Sequence, residues 1–320
     1  MKRILILTMS CNDSFFENQI NIIQKTWAKN LPNNIKWIYY TGDNNKIELC
    51  GNHLKLTSED DLENSFKKTW QAMLSVNTND FDYLVRTNTS TYINIPLLNE
   101  FLNTVNTDDI TYAADIYSLS EAAAPSPLDL FPRGNCMILP KKHVDIICKD
   151  GYRYAYLEKV DDMIIGNIIN SYYIDKKENY LDHIKGIPHG WYKCIPGSVN
   201  NGHQLCKYGN SEGGYNFYKD FISIQIKRYR ERELEEQHYY EFYNIMNSNT
   251  NDSIRESVER AIKYSENPSI FIGSLLGYID YDKWKTIDKQ RLFWIEFSNK
   301  AHDDTQYYKY IKWKEKHNIK

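Results

Sequence analysis

Residues 3–9, RILILTM, followed by the polar run Ser10-Cys11-Asn12-Asp13, decide the fold. A short apolar run with no alternation and an abrupt polar stop is the pattern of a strand buried on both faces of a parallel sheet. Downstream, Ile20, Ile22, Ile23 and Trp27 predict an amphipathic helix over residues 16–27. Residues 35–40 (IKWIYY), closed by Thr41-Gly42-Asp43, predict a second strand. A short strand is expected at 53–56, and a helix over 60–76 with Leu62, Phe66, Trp70, Met73 and Leu74 on one side. Residues 82–85 (DYLV) give the next strand. This alternation predicts an α/β sheet with crossover helices. Ligands of such sheets sit beyond the carboxyl ends of the strands, so residues 8–12, 41–43 and 86–90 are expected to converge.

Farther along, strands are expected at 112–117 and 136–139, with helices at 141–148 and 161–172. Residues 122–130, with Pro125 and Pro127, predict a loop over the site, and residues 186–214, rich in Gly, Asn and His, predict irregular active-site loops. From residue 221 the character changes: a charged helix with Tyr and Phe interleaved is expected over 228–246, and further helices over 253–265 and 300–316. The polar stretch 247–252 divides the chain into a catalytic domain, 1–248, and a helical C-terminal extension, 249–320.

Composition narrows the function. The 39 Lys plus Arg against 42 Asp plus Glu leave a net charge of −3, which argues against a general nucleic-acid binder. The basic cluster Lys227, Arg228, Arg230 and Arg232 runs into Glu231, Glu233, Glu235 and Glu236, the pattern of an exposed helix face. The 26 tyrosines suit sugar surfaces, where a ring stacks on C–H faces and its hydroxyl hydrogen-bonds, although codon bias explains them equally well. The six cysteines lie far apart, with no CxxC and no metal-knuckle spacing, and read as reduced thiols. The first apolar run stops at Thr8, too short for a secretory signal, and the stretch 270–279 is broken by Gly273 and Gly277. A soluble, cytoplasmic protein is expected, with peripheral membrane association left open.

Several segments, taken in order, resemble the inverting β-1,3-galactosyltransferase and fringe family. Residues 23–27 (IQKTW) resemble its Ile-Arg-x-Thr-Trp motif, and 58–70 (SEDDLENSFKKTW) its acidic stretch ending in Lys-Thr. Residues 82–95 (DYLVRTNTSTYINI) resemble its strand-loop-strand carrying Asp-Asp-Asp, 131–139 (FPRGNCMIL) its Tyr-Pro…Gly-Tyr-Val-Leu stretch, and 161–166 (DDMIIG) its Glu-Asp-Val-x-x-Gly motif. The resemblance spans roughly residues 1–195 and implies the GT-A fold, a Rossmann-like mixed sheet flanked by helices. It implies transfer of a hexose, with inversion, from a nucleotide-diphosphate sugar, UDP-sugar favoured, to a glycan acceptor.

The resemblance also assigns roles. An inverting transferase needs a carboxylate within hydrogen-bond reach of the attacking hydroxyl. That base falls on Asp162, with Asp161 holding acceptor hydroxyls or orienting the loop; the plainer reading is that the two acids cap a helix and offset its dipole. Thr8, Ser10 and Asp43 are expected at the nucleoside, and Asn88 and Ser90 at the diphosphate-sugar. The family binds a divalent metal, Mn²⁺ or Mg²⁺, through the carboxylates of the Asp-Asp-Asp loop. Asn88, Thr89 and Ser90 stand there instead, so no metal ligand is assigned and the cofactor is in doubt. Arg86 is expected to take over the phosphate charge, with Arg133, Lys193, Lys207, Lys227 and Arg228 as further candidates and His189 as a donor to phosphate. Two rivals stay open: transfer to a modified nucleic-acid base, and a catalytically inactive carbohydrate-binding relative.

Overall fold

The computed structural model describes residues 1–110, 112–118, 130–156, 160–176, 184–186, 189–193 and 222–227, with parts of 239–262. Its centre is an eight-stranded mixed α/β sheet ordered β3-β4-β2-β1-β5-β8-β7-β9. Strand β1 (Ile4–Met9) lies parallel to β2 (Ile35–Thr41) and to β5 (Tyr83–Asn88). The edge beyond β2 is the antiparallel pair β3 (Glu48–Cys50) and β4 (His53–Lys55). On the other side β8 (Leu130–Pro140) runs antiparallel to both β5 and β7 (Tyr112–Ser118), and β9 (Ile184–Gly186) closes the edge parallel to β7.

Strand β1 is buried on both faces, as its unbroken apolar run predicts. Leu5 and Leu7 pack in one layer with α2 (Ser65–Leu74), α4 (Lys141–Asp150) and α5 (Asp161–Lys176). Ile4 and Ile6 pack in the opposite layer with α1 (Ser14–Lys25), α3 (Ile95–Thr104) and Tyr239, Phe242 and Val258 of the C-terminal region. Helix α1 starts where Asp13 accepts the Phe15 N–H at 2.7 Å, and α3 where Asn94 accepts from Leu97.

Three differences from the expected elements have physical causes. Helix α2 begins at Ser65 rather than at residue 60, because Asp60 turns inward to pair with Lys68 while Asp61 accepts the Asn64 N–H at 2.7 Å in a turn. Within the stretch expected to be irregular, β10 (His189–Lys193) is regular, since it pairs with β11 (Ser223–Lys227). Strand β11 in turn pairs antiparallel with β6 (Thr91–Ile93), giving a second, three-stranded sheet that local pattern did not reveal. Of the helices expected beyond residue 228, only pieces within 239–262 are described; the helix predicted at 300–316 and the loop predicted at 122–130 lie outside the described residues, except for Leu130, which opens β8. No helix among the described residues is long and apolar enough to cross a membrane.

One buried group sets an acid sensitivity. His143 is fully buried in α4, its Nε2 within 2.7 Å of the Tyr173 hydroxyl, and burial lowers its pKa to about 3. The unfolded chain binds that proton near the ordinary value of 6.5, so acid favours unfolding from about there downward. Chemical denaturation should show about 2 kcal/mol less stability at pH 5 than at pH 7 from this residue, a loss that His143→Gln removes.

Candidate active site at the carboxyl edge

The chain runs β1, β2 and β4 to one side and then places β5 on the other side of β1, so β1 and β5 bound the topological switch point where open α/β sheets take ligands. Met9 pairs with both Tyr40 and Asn88, which aligns the carboxyl ends of the three strands. Because β8 is antiparallel to β5, its early residues reach the same edge: Cys136 lies opposite Thr87, and Gly134 and Asn135 lie just beyond. The first turn of α5 arrives beside them.

The alternation of β5 decides what Arg86 does. Leu84 lies in the α2/α5 layer and Val85 in the opposite one, so Arg86 falls on the side of α5. Its side chain is 1% exposed and its Nη2 sits 2.5 Å from Asp161 Oδ2. Nη1 donates to the carbonyl of Gly134, and Nη2 lies 3.3 Å from Met9 Sδ. A Cβ on Gly134 would come within 2.8 Å of Nη1, so a larger residue there would require the guanidinium to shift. Asp161 Oδ2 also accepts from Thr69 Oγ1 at 2.9 Å, and Thr69 Oγ1 lies 2.8 Å from the Tyr40 hydroxyl. Ser65 and Thr69, one turn apart on α2, both serve Asp161, since its N–H donates to Ser65 Oγ at 3.2 Å.

Asp162 is the more accessible of the acidic pair. One carboxylate oxygen accepts the Met163 N–H at 2.8 Å and the other the Gly134 N–H at 3.3 Å. Burial, followed by the neighbouring charge of Asp161, pushes its pKa above the ordinary carboxylate value, while Arg86 pulls it back. The arrangement places one cation, Arg86, in a salt bridge with the buried Asp161 and within electrostatic reach of the half-buried Asp162.

Asn88 lies at the same mouth, its Nδ2 3.4 Å from the Gly134 carbonyl and its Oδ1 accepting from Ser90 Oγ and Thr91 Oγ1, both at 2.8 Å. Thr89 is tied to Gln19 of α1, and its carbonyl accepts from the Tyr239 hydroxyl at 2.6 Å. This loop offers a cation only neutral oxygens already engaged in hydrogen bonds, and no group of three His, Cys, Asp or Glu among the described residues could hold a metal ion. The residues present do not fit a carboxylate-bound divalent metal.

The loops after β1, β2 and β4 meet beside this. Lys68 Nζ donates to the Ser10 carbonyl at 2.9 Å and to Asp60 Oδ1 at 2.5 Å. Asp60 Oδ2 accepts the Asn12 N–H at 2.6 Å, and Asn12 Nδ2 donates to the Gly42 carbonyl at 2.7 Å. Asp43 is exposed, with φ 54°, and its N–H donates to the Ser58 carbonyl at 2.7 Å.

The edge therefore brings together Asp161, Asp162, Arg86, Asn88 and Ser90, with Ser10 and Asp43 on the adjoining loops. Two expectations need correction. Thr8 is fully buried in the α1 layer, where its hydroxyl accepts from Trp37 Nε1 at 2.9 Å, so it packs rather than faces a ligand. Arg86 does not face out to a phosphate: the pleat turns it inward and Asp161 takes its charge. The backbone of His189 opens β10 opposite Ser223, and its side chain lies outside the described residues. Sequence reading missed Tyr40, Asp60, Lys68, Thr69 and Gly134. The resemblance over residues 58–70 marks Asp60, Lys68 and Thr69 without giving them roles.

A cavity of about 810 Å³ opens in the opposite layer, lined among others by Trp27, Tyr92, Asn99, Tyr243 and Arg255. It contains none of the groups just described. No model of a known protein family matches the chain, and no curated protein does. Among solved structures, the chain aligns with the crystal structure of a glycosyltransferase involved in the glycosylation of the major capsid of PBCV-1, at a TM-score of 0.39 and 10% identity, covering 75% of this chain and 99% of that one.

Proposed function

We propose that this chain is a GT-A glycosyltransferase that moves a hexose, with inversion, from a UDP-sugar to a hydroxyl of a glycan. The observation that carries the reading is Asp162: a half-buried carboxylate with a raised pKa, beside the switch point of a mixed sheet. A free carboxylate at an ordinary pKa is a feeble base, and burial next to Asp161 strengthens it.

In this reading Asp162 accepts the acceptor's hydroxyl proton as that oxygen attacks the anomeric carbon. The bond from that carbon to the diphosphate oxygen breaks, and its electron pair leaves with the diphosphate. Asp161 does not touch the acceptor; held by Arg86, Thr69 and Ser65, it fixes the first turn of α5 and so aims Asp162. Asn88 and Ser90 face the diphosphate-sugar, and Asp43 and the Ser10 loop the nucleoside. Arg133, half-buried and next to Gly134, is the described cation suited to the leaving diphosphate, and His189 is a further donor.

A thermal-shift screen of UDP, GDP, CDP and ADP and their sugars tests the reading. Ligand at about 100 times its Kd adds about 2.7 kcal/mol to folded-state stability, a shift of several degrees. UDP and one UDP-sugar are expected to give it. A screen in which no nucleotide raises the melting temperature counts against a nucleotide-sugar enzyme.

A further inference from the structure

A second buried ion pair, Lys68 with Asp60, lies apart from the proposed base, with side chains 1% and 4% exposed. A buried pair is seldom favourable for stability alone, because desolvating two ions offsets their attraction. The groups it touches suggest another purpose. Lys68 holds the Ser10 carbonyl, and Asp60 holds the Asn12 N–H, so the pair grips both ends of the turn that leaves β1. Asn12 carries the tie on to the Gly42 carbonyl after β2. The third loop closes the circuit, since Asp43 N–H bonds the Ser58 carbonyl and Gly42 packs so closely that an added Cβ would meet that oxygen at 2.4 Å. Gln71, one turn along α2 from Lys68, bonds the Ser58 N–H at 3.1 Å. One helix thus sets three loops at the ends of three neighbouring strands.

We propose that Lys68 and Asp60 are positioning residues that fix the nucleoside end of the donor site by holding the Ser10–Asn12 turn against the Gly42–Asp43 turn. The proposal rests on the nucleotide-sugar reading. The pair touches no reacting atom: its action passes through the backbone of Ser10 and Asn12, which presents Cys11, Asn12 and Asp43 at a set spacing. Paired charges suit this task better than apolar packing, because the groups to be held are a carbonyl and an N–H that need, respectively, a donor and an acceptor in a nearly dry site.

The test uses the full chain with two variants. Lys68→Met combined with Asp60→Leu replaces the pair by apolar side chains of similar size, the substitution that buried pairs tolerate best. Asp60→Asn keeps the volume and the acceptor facing Lys68 but turns an amide toward the Asn12 N–H, and it serves if the double variant fails to fold. Circular dichroism confirms folding, amide hydrogen exchange reads the loops, and calorimetry measures UDP affinity.

The expected result is faster exchange at Asn12 and Asp43, unchanged exchange at Asp162 and Met163, and UDP affinity reduced about tenfold, the worth of one charge-assisted hydrogen bond. Faster exchange with UDP affinity within about twofold of wild type would make the pair purely structural and overturn the proposal, as would unchanged exchange. Failure of the wild-type protein to bind UDP would instead bring down the donor reading on which the proposal stands.

Discussion

Asp162→Asn is expected to leave the fold and UDP binding intact and to reduce transfer by about 10²-fold or more, the usual weight of a general base. The substitution is isosteric, and the amide oxygen can still accept the Met163 N–H that orients the side chain. Proton acceptance is lost, together with the long 3.3 Å hydrogen bond from the Gly134 N–H, so the defect should appear in single-turnover rate rather than in the donor's KM. The wild-type pH profile supplies a second check. Burial and Asp161 hold the Asp162 pKa above its ordinary 3.8, and the base is active only when ionised. The acid limb of kcat/KM should therefore fall at a pH higher than an ordinary Asp would give, and it should vanish from the residual activity of the variant. Near wild-type transfer by Asp162→Asn would reduce the acidic pair to a helix-capping role at α5.

The largest combined effect is expected at Arg86. Arg86→Ala leaves Asp161 buried and unpaired, at a cost of about 3–5 kcal/mol of stability. It also removes the cation that holds down the Asp162 pKa, which then rises further. Where enough folded protein remains, its acid limb should move to higher pH and its rate at neutral pH should fall by about tenfold or more, whereas Ser90→Ala should change the rate only a few-fold. Arg86→Met combined with Asp161→Asn removes both charges and should recover most of the stability. A direct phosphate role for Arg86 would show instead as a raised donor KM with an unmoved pH profile.

The same site bears on metal use. With the Asn88 oxygen already accepting two hydroxyls and no carboxylate in that loop, transfer is expected to survive EDTA substantially. Abolition by EDTA and restoration by Mn²⁺ would point to a cation held elsewhere, with Asp161 the first residue to test.

The sequence by itself determined what depends on local pattern. An unbroken apolar run predicted the central strand, and helical spacing of Ile20, Ile22 and Ile23 predicted α1; both form within a residue or two of the expected bounds. The convergence of the ends of β1, β2 and β5 was also legible, because parallel strands joined by crossover helices put their carboxyl ends on one edge. The acidic pair was visible as a motif at the start of the helix expected from residue 161, and it opens α5.

Tertiary structure decided which charges are free to act. Nothing local indicates that Arg86 meets Asp161, since that depends on the side of β5 it occupies and on where α5 docks. The same packing separates the two acids into one buried and bonded, and one at the mouth. Nothing local tells that Lys68 is buried: the docking of α2 places it against Asp60 and the end of β1. Thr8 sits in the right segment, but the pleat turns it into the opposite layer. Periodicity says which positions share a face, whereas the partner across that face is fixed only when sheet and helices close around a common core, and in this chain that closure buries Asp161 against Arg86 and leaves Asp162 the more accessible.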